Sequence, residues 1–401
     1  MLRLKRQLSM SAIALACALI AGRFTVHADR GHAGDDDHEG DGSKKVKKVF
    51  VIAMENHNWT QPAALTDPHQ IFKNPAAPFI NSLVDGTSGI SKQVSYATNY
   101  VNPKGFSVHP SEPNYVWTEA GQAFHTLGTD ADPYDNNTKC TPQTVISSDQ
   151  HLTAFLTKAH KTWRSYQEDA NVDTNNVPLP SAMWLYPLFS LSGKFTAPPT
   201  GRLNEYNYTS QFNYAPKHNP QIFFRDTNGG CPQTHTTLYP PLQQLALDLA
   251  ADNLADYTWI TPDQYNDQHS ILGTGYGIYP NNSDQAAIAQ GDNFVARVVP
   301  LIMSSDAYED GAVIALWWDE SEHGSLPDSN DFKIPFIIIS KSAHANVGGK
   351  PYASSVEFSH SSLLRTMQEV FNVDPDEGYP FLADAVNAND LSPLFKPGTI
   401  K

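Results

Sequence analysis

"KKVFVIAMENHNW" spans Lys47 to Trp59, and its centre, Val49 to Met54, is an unbroken apolar run. A run this short, with no polar alternation, reads as a strand buried on both faces. Its polarity then changes at once, to Glu55, Asn56, His57 and Asn58. Ligands in open α/β sheets bind outside the carboxyl ends of the strands. A core strand that ends in a carboxylate, an amide and an imidazole therefore suggests a site. The alternative is that Glu55 merely caps a following element.

The pattern recurs in "GAVIALWWDE" (Gly311–Glu320), a second apolar run ending in acids, Asp319 and Glu320. "DYTWITP" (Asp256–Pro262) and "IPFIIIS" (Ile334–Ser340) read as further strands. Helical segments are expected at Pro78–Leu83, near 150–160, at 239–254, at 284–304 and at Ser361–Phe371. In 284–304, Ala287, Phe294, Val295, Val298, Leu301 and Ile302 recur at helical spacing. Apolar strands alternating with helices imply an α/β fold with a mostly parallel central sheet and helices on both faces. Residues 100–240 are rich in Pro, Asn, Tyr and Thr, which marks a long irregular insert, roughly 120–240.

The chain has 401 residues. Residues 1–28 carry a basic start (Arg3, Lys5, Arg6), the apolar stretch Ser11–Gly22 and a small-residue end at Val26-His27-Ala28. They read as a signal peptide, which implies a secreted or periplasmic protein. Residues 29–46 are polar, Gly-rich and acidic and read as a disordered linker. Residues 47–401 then form a single domain. Discounting residues 1–28 removes four basic residues and no acid, taking the net charge from −15 to −19. That charge argues against nucleic acid as a partner and against a polybasic membrane anchor. Nothing after residue 28 is long and apolar enough for stable membrane insertion. Of the three cysteines, Cys140 and Cys231 lie beyond the signal segment. In an oxidising compartment they can pair as a disulfide, with a two-cysteine metal site as the alternative.

Two acidic strand ends that converge would repel unless a proton or a cation lies between them. Glu55 with Asn56, and Asp319 with Glu320, are thus candidate ligands for a divalent metal. Their hard oxygen donors favour Ca²⁺, Mg²⁺ or Mn²⁺, although Zn²⁺ also accepts carboxylates. "HPSEPNYVWTEAG" (His109–Gly121) holds Ser111 between prolines, with Asn114 three residues later. A serine beside a metal can act as a nucleophile; by composition alone Ser111 is an ordinary loop serine. His218 in "PKHNP", His269 in "NDQHS" and His360 in "EFSHSS" stand in polar stretches near element ends. Imidazoles so placed can bind phosphate, transfer protons or ligate metal.

In this order the blocks resemble the phosphoesterase family of bacterial phospholipases C and acid phosphatases, within the alkaline-phosphatase superfamily. The resemblance runs over most of residues 47–375, through "VFVIAMENHNW", "HPSEPNY", "WRSYQED", "KHNPQIFF", "ITPDQYNDQH", "LWWDE" and "SHSSLLRTMQEVF". It implies an alkaline-phosphatase-like fold. Carried over by position, it implies that Glu55, Asn56, Ser111, Asp319 and Glu320 hold the metal and that Ser111 is the nucleophile. Asn114, His218 and Asp267 would bind the substrate phosphate, and His269 or His360 would protonate the leaving group. Two departures bear on substrate choice. "SEHGSLPDS" follows the second acid pair where family members often have a Gly-Gly turn, and His57 stands where an Arg is often found.

The expected activity is hydrolysis of a phosphoester substrate through a phosphoserine intermediate, of the acid-phosphatase, phosphomonoesterase type. A phospholipase C-type phosphodiesterase is the alternative. The aromatics of 176–240 (Trp184, Tyr186, Phe189, Phe195, Tyr206, Tyr208, Phe212, Tyr214, Phe223, Phe224) would then supply a lipid-facing surface, or else simply pack the insert. A phosphate-binding protein without turnover is the third reading.

Overall fold

A computed structural model of the chain describes residues 45–66, 69–103, 108–135, 138–190, 213–281, 283–322, 332–346, 348–374 and 378–400. The expected signal peptide, nearly all of the linker, and Phe195, Tyr206, Tyr208 and Phe212 lie outside the described residues.

Seven strands form one sheet in the order β3-β4-β1-β5-β6-β2-β7. They are β1 (Val49–Met54), β2 (Val94–Ala97), β3 (Trp163–Gln167), β4 (Tyr257–Thr261), β5 (Val313–Trp318), β6 (Phe336–Ile339) and β7 (Tyr352–Ser354). Every residue of β1, β4 and β5 is buried. Successive side chains of a strand point to opposite faces, so both faces at the centre of the sheet are covered. This is why β1 and β5 read as unbroken apolar runs, while β4 carries the buried Thr258 and Thr261. The covering helices fall into two packed groups, α1 (Pro78–Asp85) with α5 (Asp284–Met303), and α2 (Ser111–Ala120) with α3 (Leu152–Lys158) and α7 (His360–Phe371). Also present are α4 (Gln244–Ala250) and the short α6 (Asp306–Glu309).

The sheet is mostly parallel, but "IPFIIIS" contributes the one reversed strand. β6 runs antiparallel to both β5 and β2. An apolar run does not encode direction; the connection does. Parallel neighbours need a crossover, usually a helix, and the described residues between β5 and β6 contain none. The expected insert is also less separate than its composition suggests. Its "WRSYQ" stretch forms β3, which pairs in parallel with β4 at the edge of the sheet.

The segment around Ser111 is helical rather than a loop. Pro113 sits in the first turn of α2, where backbone N–H groups lack helical partners and proline is tolerated. Gly121 ends the helix in the left-handed conformation, with φ +69°. All ten residues of α2 are buried. Cys140 and Cys231 form a disulfide, with Cα atoms 5.5 Å apart. Among the described residues no helix is long and apolar enough to cross a membrane.

Candidate active site

β1 lies between β4 and β5, and Met54 pairs with Trp318 at the carboxyl ends. Glu55 and Asp319 are the next residues on each strand, so the register itself brings the two acids together. The Asp319 amide donates to the Met54 carbonyl (3.1 Å). The Asn56 amide donates to Asp319 Oδ1 (3.0 Å). Asn56 takes a left-handed turn, φ 41°, which Asn tolerates better than most side chains. From the other side, the loop after β4 delivers Asp267, whose carbonyl accepts from the Glu55 amide (2.8 Å).

Helix α2 points its first residue at this junction. Ser111 Oγ donates to Glu55 Oε2 (2.8 Å). One turn later, Tyr115 Oη donates to Glu55 Oε1 (2.6 Å). His218 stacks on Tyr115, with ring centroids 5.1 Å apart. Its Nε2 lies 3.1 Å from Glu55 Oε1 and its Nδ1 lies 3.0 Å from Asp267 Oδ2. Glu55, His218 and Asp267 are all buried, and each offers a ligand atom within 4.8 Å of the others.

The charges of this cluster do not balance. Burial, then the neighbouring charges of Asp319 and Asp267, push the Glu55 carboxyl well above its usual range. Burial and Glu320 do the same to Asp319. Burial also raises Asp267. Burial and the positive Lys217 disfavour the charged form of His218. A neutral imidazole has one N–H, and neither His218 nitrogen, though close to Glu55 and Asp267, makes a hydrogen bond among the described residues. Asn56 Oδ1, Asp267 Oδ2 and Asp319 Oδ2 are buried without a hydrogen-bond donor. Oxygen atoms buried in this way, beside mutually repelling carboxylates, fit a divalent cation. The residues that could hold it are Glu55, Asn56, Ser111 and Asp319, joined by Asp267 and His218. The last two were expected to bind substrate.

Glu320 is directed elsewhere. Its Oε2 lies 2.5 Å from His109 Nδ1 and accepts from Asn114 Nδ2 (3.1 Å). Asn114 also donates to the Val108 carbonyl (2.8 Å) and accepts from Asn102 Nδ2 (3.1 Å), so it ties the start of α2 to the end of β5. His360 is committed on both sides. Trp317 Nε1 donates to its Nδ1 (3.0 Å), which places the ring proton on Nε2, and Nε2 donates to the Asp319 carbonyl (2.5 Å). Burial lowers its pKa to about 3. Both ring nitrogens are therefore engaged beneath the Asp319 turn, a placement that does not suit a proton donor to a leaving group. His269 remains at the rim. Its amide donates to Asp267 Oδ1 (2.8 Å) and its Nε2 lies 3.4 Å from Lys217 Nζ. Burial, then Lys217, lowers its pKa to about 4.

His57 is buried and holds the turn from behind. Its Nδ1 contacts the Glu55 carbonyl (3.0 Å) and its Nε2 contacts Asp284 Oδ1 (3.1 Å). Both partners are acceptors, so the ring is an imidazolium. Burial opposes that charge, but Asp284 and the Glu55 carbonyl outweigh it and raise the pKa to about 9.

Sequence reasoning missed Tyr115, Lys217 and His109. Tyr115 follows Ser111 by four residues, a spacing that shares one helix face, and would have been found had the segment been read as a helix. Lys217 was passed over in favour of its neighbour in "PKHNP".

Residues 54–374 match the model of the phosphoesterase family. The chain belongs to that family. Membership makes it a phosphoester hydrolase by class. No curated protein sequence matches it. Solved structures similar to this phosphoesterase include the lipoteichoic acid synthase LtaP from Listeria monocytogenes (13% identity, 87% of this chain and 77% of that one, TM-score 0.44). A protein in the alkaline phosphatase superfamily from Vibrio parahaemolyticus is similar at 11% identity, over 88% and 71% of the two chains, with TM-score 0.45. The phosphonate monoester hydrolase of Agrobacterium radiobacter is similar at 11% identity, over 88% and 79%, with TM-score 0.45.

Proposed function

We propose that this phosphoesterase is a secreted or periplasmic, metal-dependent phosphomonoesterase of the acid-phosphatase type that works through a phosphoserine. The observation that carries the reading is the Ser111 hydroxyl, donating at 2.8 Å to the carboxylate of Glu55 from the first residue of a helix. A helix N-terminus favours an anion through its unpaired N–H groups and dipole. A phosphoryl group brought to Ser111 would lie at that end of α2. A divalent cation held by Glu55, Asn56, Asp319 and Asp267 would stabilise the serine alkoxide and offset charge on the phosphoryl oxygens.

The residues supply the rest. Glu55 Oε2 accepts the Ser111 proton as Oγ attacks phosphorus and the bond to the leaving oxygen breaks. Tyr115 fixes the Glu55 carboxylate by its hydrogen bond, and His218 stacks against Tyr115. His360 and Asn114 hold the Asp319–Glu320 turn and act by positioning. The leaving oxygen takes its proton from water at the rim, near His269, and Glu55 returns its proton to Ser111 Oγ when the phosphoserine is cleaved. Water then cleaves the phosphoserine, releasing phosphate and restoring the hydroxyl.

The monoesterase reading is supported by four of the insert's aromatics, while Tyr186 and Phe189 are partly exposed. Trp184, Tyr214, Phe223 and Phe224 are buried in the core and unavailable to a lipid surface. The Cys140–Cys231 disulfide supports an oxidising compartment.

A soluble aryl phosphate and a phosphatidylcholine substrate should be assayed side by side, before and after chelation. Turnover of the aryl phosphate, lost on chelation and restored by a divalent ion, is expected. Turnover of the lipid alone would favour the phospholipase C alternative. Ser111→Ala should reduce hydrolysis by about three orders of magnitude or more while the fold, followed by circular dichroism, is kept.

A further inference from the structure

Lys217 was not among the expected site residues, yet it stands beside them. It precedes His218 in the short 3₁₀ turn Pro216–His218, and its side chain is only 14% exposed. Its ammonium donates to Asp130 Oδ2 (3.1 Å) and faces His269 Nε2 at 3.4 Å. Asp130 Oδ1 accepts in turn from the amide of Glu112, the residue after Ser111. One short network thus joins the lysine to the start of α2 and to the rim histidine. An ammonium has three N–H donors. Two partners are seen among the described residues, which leaves capacity for one more acceptor.

Apart from a bound cation, few of the described side chains around Ser111 would offer positive charge to a substrate. Glu55, Asp267 and Asp319 are acids, and both ring nitrogens of His360 are engaged, by the Trp317 indole and the Asp319 carbonyl. The His57 imidazolium is pinned between the Glu55 carbonyl and Asp284. Lys217, by contrast, has as its counterion Asp130, which is 33% exposed. Water can take over the solvation of that carboxylate when its partner moves to another anion.

We propose that Lys217 binds a non-bridging oxygen of the phosphoryl group and makes the site selective for dianionic phosphate monoesters over monoanionic diesters, with Asp130 holding the lysine until the substrate displaces it. This rests on the reading of Ser111 as the centre of a phosphoester hydrolase. A monoester carries its second negative charge above a pKa near 6, whereas a diester has no second proton to lose. An added fixed cation therefore favours the monoester. Contact from an ammonium to a charged oxygen is a strong hydrogen bond.

The test uses the full chain loaded with a divalent ion, with Lys217→Met and Asp130→Asn beside the wild type. Steady-state rates are measured on an aryl phosphate monoester and on its methyl diester, and inorganic phosphate binding is measured by calorimetry. Lys217→Met should weaken phosphate binding and monoester kcat/KM by about 10- to 100-fold, and diester kcat/KM much less. Asp130→Asn should tighten phosphate binding and lower the monoester KM, because the competing carboxylate charge is gone. Wild-type phosphate affinity in a folded Lys217→Met protein, or equal losses on both esters, would overturn the proposal. If Lys217→Met does not fold, unchanged phosphate affinity in Asp130→Asn overturns it instead. Wild-type turnover of neither ester is a separate result, and it removes the reading on which the proposal rests.

Discussion

Two histidines flank the acid turns and carry opposite charge states for visible reasons. His57 has an acceptor at each nitrogen, the Glu55 carbonyl and Asp284. His360 has a donor at one nitrogen, the Trp317 indole, and an acceptor at the other. The first arrangement requires the imidazolium and the second excludes it. Their effects on stability therefore have opposite signs with pH. His57 has its pKa raised to about 9, so its contribution is fully present below about 6.5 and is lost as pH rises through about 9. His360 has its pKa lowered to about 3, so the fold loses stability as pH falls from about 6.5 towards 3, where only the unfolded chain readily takes the proton. The excess stability of wild type over His57→Gln should decline between pH 6.5 and 9 by on the order of 3 kcal/mol. The excess over His360→Gln should decline between pH 6.5 and 3 by on the order of 4–5 kcal/mol. Urea unfolding across pH measures both. A flat difference in either window would mean that the assigned charge state is wrong.

Among the elements, α2 matters most, and it was the least legible in the sequence. β1 and β5 could be read because burial on both faces leaves an unbroken apolar run. From those runs, Glu55 and Asp319 could be placed at strand ends, and their meeting follows from the β1–β5 register. Helix α2 has no such signature. All ten of its residues are buried, including Glu112, Asn114 and Glu119, so no polar face sets off an apolar stripe. Two prolines flank Ser111, one of them inside the first turn, and suggest a loop. Strand β2 and the edge strand β7 are short and were missed for want of length. Gly121 is the point at which the helix can be tested. It takes a left-handed conformation, and a Cβ there would lie 2.7 Å from the Leu382 carbonyl oxygen. Gly121→Ala should therefore destabilise the protein by about 2–4 kcal/mol, adding left-handed strain to overpacking. Because α2 aims Ser111, kcat should fall with stability. A melting temperature equal to wild type would show that the helix end relaxes freely.

Across the whole molecule, the site is assembled from distant parts of the chain. Glu55 comes from the first strand, Ser111 from α2, His218 and Lys217 from the irregular region, and Asp319 from β5. The irregular region is anchored in three ways: β3 pairs with β4, His218 faces Glu55 and Asp267, and Cys140 is bonded to Cys231. The disulfide closes a loop of 91 residues in sequence separation, which contains α3, β3 and the Lys217–His218 turn. A cross-link acts chiefly by limiting the unfolded chain, and for a loop of this size its removal costs about 2–5 kcal/mol. The other two anchors are native contacts and persist in the folded state without it. Replacing both cysteines by serine should thus lower the unfolding free energy by that amount, while folded enzyme keeps its activity. Wild type unfolded under thiol reductant should match the double variant in denaturant midpoint. Loss of activity well before global unfolding would instead show that the disulfide itself holds Lys217 and His218 in place.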